Sequence, residues 1–331
     1  MTVGVIITVF NLEKYVGEAI ESVLAQSLPP DRIIVVNDGS VDNSKSVIES
    51  FNDRVELLDN DQNQGVLPSI ISAMKKLNTE IFAFLDGDDR WHADKLKLIV
   101  QAFERDEKAM LVTHSYRRMD AVGELSPVLD KTLRNLDRIE NLKGTAEQTD
   151  EELKNSILSY KGVWLGSAFA IRKNFLDQTK FENWSTSLWG HSLSHQDQPL
   201  AAFLILTSPE GRIVYLPEKL FDYRVFGENS SGSSATLEKA LRTLGRSKAT
   251  LLRTHDAVSK MKGRQRELKA QKNKLREMEY LEFLYTRKLG NAFPLFLSLF
   301  FSHWDVREKV KEFARFAGVV TLGTNRLLKY K

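Results

Sequence analysis

The chain of 331 residues contains no cysteine, and that absence removes disulfide frameworks, thiolate zinc sites, iron–sulfur clusters and cysteine nucleophiles. A metal in such a protein is held by oxygen or histidine, so a hard divalent cation on carboxylates is the default. No run approaches the roughly 20 apolar residues of a spanning helix, and residues 1–10 lack the basic start and small-residue cleavage site of a secretory signal. The expectation is a protein on the cytoplasmic side of a membrane. No Gly-x-Gly-x-x-Gly follows the first apolar run, where Thr8, Val9, Phe10 and Asn11 stand, and there is no P-loop. Dinucleotide oxidoreductases and P-loop NTPases thereby lose their main support. What is present, 42% hydrophobic and 27% charged residues, is the composition of a globular protein with ample core material.

Net charge is also scarce, but it is unevenly placed. The total is +3, yet residues 1–236 carry 25 Lys plus Arg against 35 Asp plus Glu, net −10, and residues 237–331 carry 22 against 9, net +13. An acidic body with a basic tail predicts a catalytic or binding domain followed by a segment that meets lipid headgroups, nucleic acid or a partner protein.

The first hundred residues alternate β-rich apolar runs with amphipathic stretches. Residues 3–10, 33–36, 55–58 and 81–85 read as strands; 16–24 (before Pro29 and Pro30), 44 to about 51, and 66–77 read as helices. This order predicts an α/β fold, a Rossmann-like, mainly parallel sheet flanked by helices, with ligands beyond the carboxyl ends of its strands. Periodicity weakens from Arg117 to about Tyr160, which predicts a variable insertion. Residues 166–171, 213–216 and 219–226 read as further strands, with a helix over about 197–206. A Ser/Gly-rich linker at 229–234 precedes a basic helical stretch over 237–288. There is no internal repeat.

Polar clusters close two of the early strands. Asp86, Gly87, Asp88 and Asp89 put three carboxylates into four residues; the cost of their repulsion is offset by a divalent cation, or else the segment is an acidic turn with a helix cap. Asn37, Asp38, Gly39 and Ser40 offer a carboxylate to a base N–H or sugar hydroxyl, or form an ordinary turn.

Together these pieces resemble the family 2 glycosyltransferases, which use the GT-A nucleotide-diphospho-sugar-binding fold. VIITVFN (5–11), EAIESVLAQ (18–26), IIVVNDGSVD (33–42), NQG (63–65) and FLDGDDRW (84–91) follow that family's pattern in order and spacing. The resemblance covers residues 1–110 well, and 160–232 more loosely through SHQDQPL (194–200) and YRVFGENSSG (223–232). It implies an inverting transferase that moves a sugar from a nucleotide diphosphate, with UDP the expected nucleotide, to a hydroxyl of a glycan or lipid-linked saccharide in cell-surface polysaccharide synthesis. Residues 1–234 would be the GT-A domain, with 1–115 as the nucleotide-sugar half and 116–234 as the acceptor half; 235–331 would be a basic helical extension.

Carried over by position, the resemblance places Thr8, Phe10 and Asn11 in the nucleotide pocket and makes Asp38 the uracil-contacting acid. Asp86 and Asp88 become the DxD motif, Asp88 coordinating Mn²⁺ or Mg²⁺ and Asp86 supporting the ribose and metal shell. Asp197 takes the place of the catalytic base, its structural alternative being a cap on the helix that follows. Arg224 is a diphosphate or structural partner; His191 and His195, read from their place beside the Asp197 loop, are either metal or acceptor ligands or simply exposed loop histidines. Asn37 and Gln196 stand where the family commonly has acids, Ile70 and Ile71 where it has Arg or Asn, and Phe226 where it has His. These departures motivate a competing class, a non-catalytic nucleotide-sugar-binding or scaffold subunit.

The tail adds its own pattern. Residues 237–288 hold 15 Lys plus Arg against 6 Asp plus Glu, followed by AFPLFLSLFF (292–301) and Trp304, and then by Val306, Val310, Phe313 and Ala317 at helical spacing among basic residues. Basic charge beside an aromatic apolar element predicts peripheral contact with an anionic membrane surface. The alternatives are a helical hairpin packed on the catalytic domain or a second subunit in a homo-oligomer, and nucleic acid, which no accompanying motif supports.

Overall fold

The computed structural model describes residues 1–141, 145–161, 166–186, 197–226 and 236–324. They fall into two compact units, Met1–Val225 and Phe226–Lys331.

In the first unit, β1 (Val3–Val9), β2 (Arg32–Asn37), β3 (Glu56–Asp59) and β4 (Ile81–Asp86) pair in parallel in the order β3-β2-β1-β4. β1, β2 and β4 are apolar almost throughout because both faces of a parallel sheet are covered, which leaves no side for alternating polar residues. The covering helices are α1 (Val16–Leu24), α2 (Ser44–Glu49) and α3 (Val66–Lys76). Val16, Ala19, Ile20 and Val23 of α1 are buried at the i, i+3, i+4, i+7 positions that share one helix face. Ile70 and Ile71 of α3 face the core, which is why an apolar pair stands there.

The chain continues through β5 (Arg90–Trp91), α4 (Lys95–Arg105), β6 (Ala109–Met119), β7 (Leu125–Ser126), α5 (Lys131–Glu140), α6 (Ala146–Leu158), β8 (Ala170–Arg172), α7 (Gln178–Thr186), α8 (Asp197–Thr207) and β9 (Arg212–Arg224). The sheet order runs on as β4-β8-β6-β9-β5 with β7 on β6, giving nine strands among the described residues. β8 is antiparallel to both β4 and β6, whereas β6 and β9 are parallel. The α/β expectation holds, but the parallel half ends at β4 because three-residue β8 enters against the direction of its neighbours.

The weakly periodic stretch after Arg117 contains the end of β6, β7, α5 and α6. β6 itself went unread because Thr113, His114 and Ser115, all buried, interrupt its apolar run. Residues 166–168 form a single 3-10 turn before the short β8, and the two strands expected at 213–226 are one strand, β9, bulged against β6 between His114 and Arg117.

The second unit consists, among the described residues, of α9 (Leu237–Ser259), α10 (Gln265–Tyr285), α11 (Leu289–Ser302) and α12 (Val306–Leu322). Tyr280, Leu284, Ala292, Phe296, Leu299, Trp304 and Val319 close its core. Phe296, Leu299 and Trp304, expected at a membrane interface, are buried here, since a bundle of amphipathic helices must first cover its own apolar seam. No described helix is long and apolar enough to cross a membrane.

Candidate active site

The carboxyl ends of the parallel strands form one rim. Strand register sets Thr8 opposite Asp86 and Val9 opposite Asn37, so the polar ends of β2 and β4 flank that of β1. The loops above are tied together: Asn11, at φ +55°, donates its N–H to Ser40 Oγ at 3.0 Å and accepts from the Val41 N–H at 2.9 Å. Leu12 N–H donates to Ser44 Oγ at 2.8 Å. Asn11 therefore joins two loops, while Phe10 beside it is 45% exposed and presents a ring on which a base can stack.

Asp38 is buried beneath this rim. Its Oδ1 accepts from Asn60 Nδ2 at 2.9 Å and Gln64 N–H at 2.9 Å, and its Oδ2 accepts from Gly65 N–H at 2.8 Å. A carboxylate has about four acceptor positions, and three of those on Asp38 anchor the 60–65 loop. Gly39 is needed at this point: its φ is +69°, and a Cβ would come within 2.4 Å of the Gln62 backbone. Asn37, also buried, turns to Asp59, donating from Nδ2 to Oδ1 at 2.7 Å, so it acts as scaffold below the rim.

The acidic turn after β4 separates its three carboxylates. Asp86 and Asp88 are half-buried at the rim, and Thr8 Oγ1 lies 3.5 Å from Asp86 Oδ1. Asp89 points inward, fully covered, where Ser167 Oγ donates to its Oδ2 at 2.5 Å and Arg224 N–H to its Oδ1 at 2.9 Å. Burial, together with the charges of Asp88 and Asp86, pushes the Asp89 carboxyl well above the ordinary range. Ser167 also accepts from the Asp86 N–H at 3.0 Å, and its carbonyl accepts from Lys95 Nζ. Lys95 is completely buried with its ammonium 4.0 Å from the Trp91 ring, and burial lowers its pKa well below that of a free lysine. Gly87 fits because a Cβ there would meet the Thr8 carbonyl at 2.9 Å.

Arg224 completes the support. It is buried, with Nε donating to the Asp88 carbonyl at 2.8 Å, Nη1 to the Ala121 carbonyl at 3.2 Å, and Nη2 to Glu18, while its guanidinium stacks 4.7 Å from the Tyr15 ring. Through its Nε it fixes the acidic turn by the Asp88 backbone. Among the described residues no three His, Asp or Glu side chains gather as a ready-made metal cage. The pair Asp86 and Asp88 instead fits a cation that takes its remaining oxygens from a diphosphate and water, as Mg²⁺ or Mn²⁺ does.

Asp197 opens α8, a helix buried all round from Gln198 to Ile205. Its Oδ1 accepts the Gln198 N–H at 2.8 Å, and the residue is half-buried. Burial raises its carboxyl to about 7, opposed by that N–H and reinforced by the charge of Asp86. The charge of Asp86 at the end of β4 thus reaches the start of α8. His191, His195, Gln196 and the 229–234 linker lie outside the described residues.

A second ionic network, not legible in the sequence, braces the same corner. Asp222 is fully buried and accepts from Arg90 Nη2 at 2.7 Å and Arg117 Nε at 2.6 Å, with His92 Nε2 at 2.9 Å; Arg90 also donates to Glu18 at 2.6 Å. Burial alone would raise the Asp222 carboxyl, but these contacts hold it well below the usual range. Asp222→Asn is expected to cost about 2–4 kcal/mol, the lower part of the buried-pair range because both arginines stay about a third exposed. The melting temperature should then fall on the order of 10 °C near pH 7. A depressed carboxyl stabilises above its unfolded pKa and loses that effect as pH falls, so the deficit should shrink below about pH 4. Calorimetry of both proteins at the two pH values tests this; an unchanged melting temperature at pH 7 would remove the network from the stability account.

Sequence reasoning missed Glu18, Lys95, Ser167 and Asp222 as parts of the site. They occupy separate elements with no spacing between them to read.

A half-parallel, half-mixed sheet with acidic residues at the carboxyl ends of β2 and β4 defines a glycosyltransferase of the GT-A fold. The chain belongs to glycosyl transferase family 2, whose model matches residues 4–175. An uncharacterized glycosyltransferase of Nostoc sp. is 29% identical over 258 residues, 73% of this chain and 71% of that one. The UDP-Glc:alpha-D-GlcNAc-diphosphoundecaprenol beta-1,3-glucosyltransferase WfgD of Escherichia coli is 34% identical over 29% of this chain and 38% of its own length. The structure of the mannosyltransferase PcManGT from Pyrobaculum calidifontis in complex with GDP-Man and Mn²⁺ superposes with a TM-score of 0.56 at 14% identity, covering 99% of this chain and 84% of that one. At that identity it speaks for the fold.

Proposed function

We propose that the protein is a metal-dependent, inverting glycosyltransferase that moves a sugar from UDP to a hydroxyl of a glycan or lipid-linked saccharide in cell-surface polysaccharide synthesis. In this reading residues 1–115 hold the donor and 116–234 the acceptor. The observation that carries it is that Asp197 at the start of α8 has its carboxyl raised to about 7, chiefly by burial and in part by the charge of Asp86, whose turn after β4 also carries Asp88. Phe10 stacks the base, Thr8 and Asn11 line the pocket, and the remaining acceptor position of Asp38 takes a base N–H. Asp86 and Asp88 hold the divalent cation, which when bound offsets the charge that develops on the diphosphate. Asp197 takes the proton of the acceptor hydroxyl as the oxygen attacks the anomeric carbon from the face opposite the leaving group. The name of the Escherichia coli relative, a UDP-Glc-dependent glucosyltransferase, supports the donor class.

A thermal-shift series with UDP, GDP and CDP, each with and without Mn²⁺, tests the donor side. Ligand that binds only the native state at 100 times its Kd stabilises by about 2.7 kcal/mol. UDP with Mn²⁺ should give the largest shift, and UDP alone a smaller one. No shift with any nucleotide, metal present, would overturn the donor assignment. Nucleotide binding without turnover on any UDP-sugar and acceptor tried would instead favour the non-catalytic subunit.

A further inference from the structure

Fifteen large hydrophobic side chains are exposed among the described residues, and seven of them lie on α11 and α12. They are not scattered. Phe293, Leu297 and Phe301 follow one another every four residues on α11; Val306, Val310, Phe313 and Val320 recur on α12. At about 100° per residue each set stays within an arc of roughly 80°. The opposite faces of both helices are already used, through Phe296, Leu299 and Val319 in the bundle core. The outer rows are therefore a second apolar face, not a core left unfilled.

Ring contacts place the rows side by side. Phe293 and Phe296 meet Phe316 at 5.9 and 5.1 Å, and Lys309 Nζ lies 5.2 Å from the Phe300 ring, so the helices run antiparallel. α11 carries no charged residue. Cations adjoin the face: Arg307 on the outer flank of the α12 row, Lys309 in the seam against the Phe300 ring, and Arg287 and Lys288 just before α11. Residues 237–331 hold 22 Lys plus Arg against 9 Asp plus Glu.

We infer that this face is an in-plane docking surface for an anionic phospholipid bilayer. An apolar row wide enough for acyl chains, rimmed by cations at headgroup level, is what an interfacial helix presents. Fourteen residues of α11 extend about 21 Å, short of the roughly 30 Å hydrocarbon core, so the pair lies in the surface and does not cross it. Charge decides against a second copy as occupant: a two-fold pairing of this face would set its cationic rim against its own image. A nucleic acid matches the cations but leaves the apolar row against water. The inference is independent of the donor and of catalysis.

The test is co-sedimentation of the full chain with vesicles of phosphatidylglycerol and phosphatidylcholine, and with vesicles of phosphatidylcholine alone. The bound fraction should be at least tenfold higher on the anionic vesicles and should collapse near 1 M salt, where the screening length is about 3 Å. Combined Phe301→Ser, Val310→Ser and Phe313→Ser should lower anionic-vesicle binding at least tenfold, and Arg307→Glu with Lys288→Glu should do the same. An unchanged melting transition in each variant verifies folding. Equal recovery on both vesicle types, or either variant binding as the parent does, overturns the inference. So does a concentration-dependent dimer that the serine variant abolishes while vesicles go unbound, which assigns the face to a second copy.

Discussion

Asp197→Asn should lower turnover by about 10²–10⁴, the usual range for removing a general base, while leaving the UDP–Mn²⁺ thermal shift intact. The split arises because Asp197 opens α8, whereas the residues proposed to hold the donor sit at the ends of β1, β2 and β4. Two further readings of the same variant follow from its raised carboxyl, at about 7. Parental turnover should rise with pH as Asp197 ionises, with a midpoint at or below about 7, because a cation at Asp86 and Asp88 cancels part of the charge that raises it. That rise should be absent from the variant. The stability effect has the opposite sign to that of an ordinary paired acid. A carboxyl with a raised folded-state pKa costs nothing below its unfolded value near 4, and its cost grows until pH passes about 7. The asparagine variant should thus match the parent at pH 4 and exceed it at pH 8, by on the order of 2 kcal/mol after allowance for partial exposure. Near-parental turnover would exclude Asp197 as the base.

Asp88→Ala should abolish the Mn²⁺-dependent part of the nucleotide shift and lower turnover about 10³-fold, since a metal at a developing diphosphate charge supplies several kcal/mol of transition-state stabilisation. The turn itself should survive the change. Arg224 holds it through the Asp88 carbonyl, and Asp89 holds it from below through Ser167 and the Arg224 N–H, none of which uses the Asp88 side chain. The metal-independent shift with UDP should remain, because Phe10 and Asp38 are untouched. Retention of the full metal-dependent shift would move the cation to other ligands.

The limits of the rim's legibility are visible in Asp38 and Arg224. Asp38 announces itself by following an apolar strand, yet its carboxylate spends three acceptor positions on Asn60, Gln64 and Gly65. Nothing in the spacing of residues 38 and 60–65 discloses that closure, which depends on how the loop folds back over Gly39. Arg224 is an arginine among polar residues near the end of the chain's acidic body, the usual signature of an anion contact. It is instead buried under the acidic turn, because β9 runs as one strand past β6 and delivers its last residue beneath Asp88 and Asp89.

The sequence by itself determined the βαβαβαβ half, the placing of acids at strand ends, and the division into an acidic body and a basic tail. Each of these is local: strand and helix periods, turn residues and charge counts are properties of a few neighbouring positions. Tertiary structure alone decided that of the turn's three aspartates Asp89 points inward while Asp86 and Asp88 stay at the rim, which apolar tail residues are core and which are left outside, and that Ser167, Lys95, Glu18 and Asp222 brace the rim. Those outcomes depend on contacts between elements up to two hundred residues apart. Burial and charge at such a contact belong to the packed assembly, and no single segment carries them.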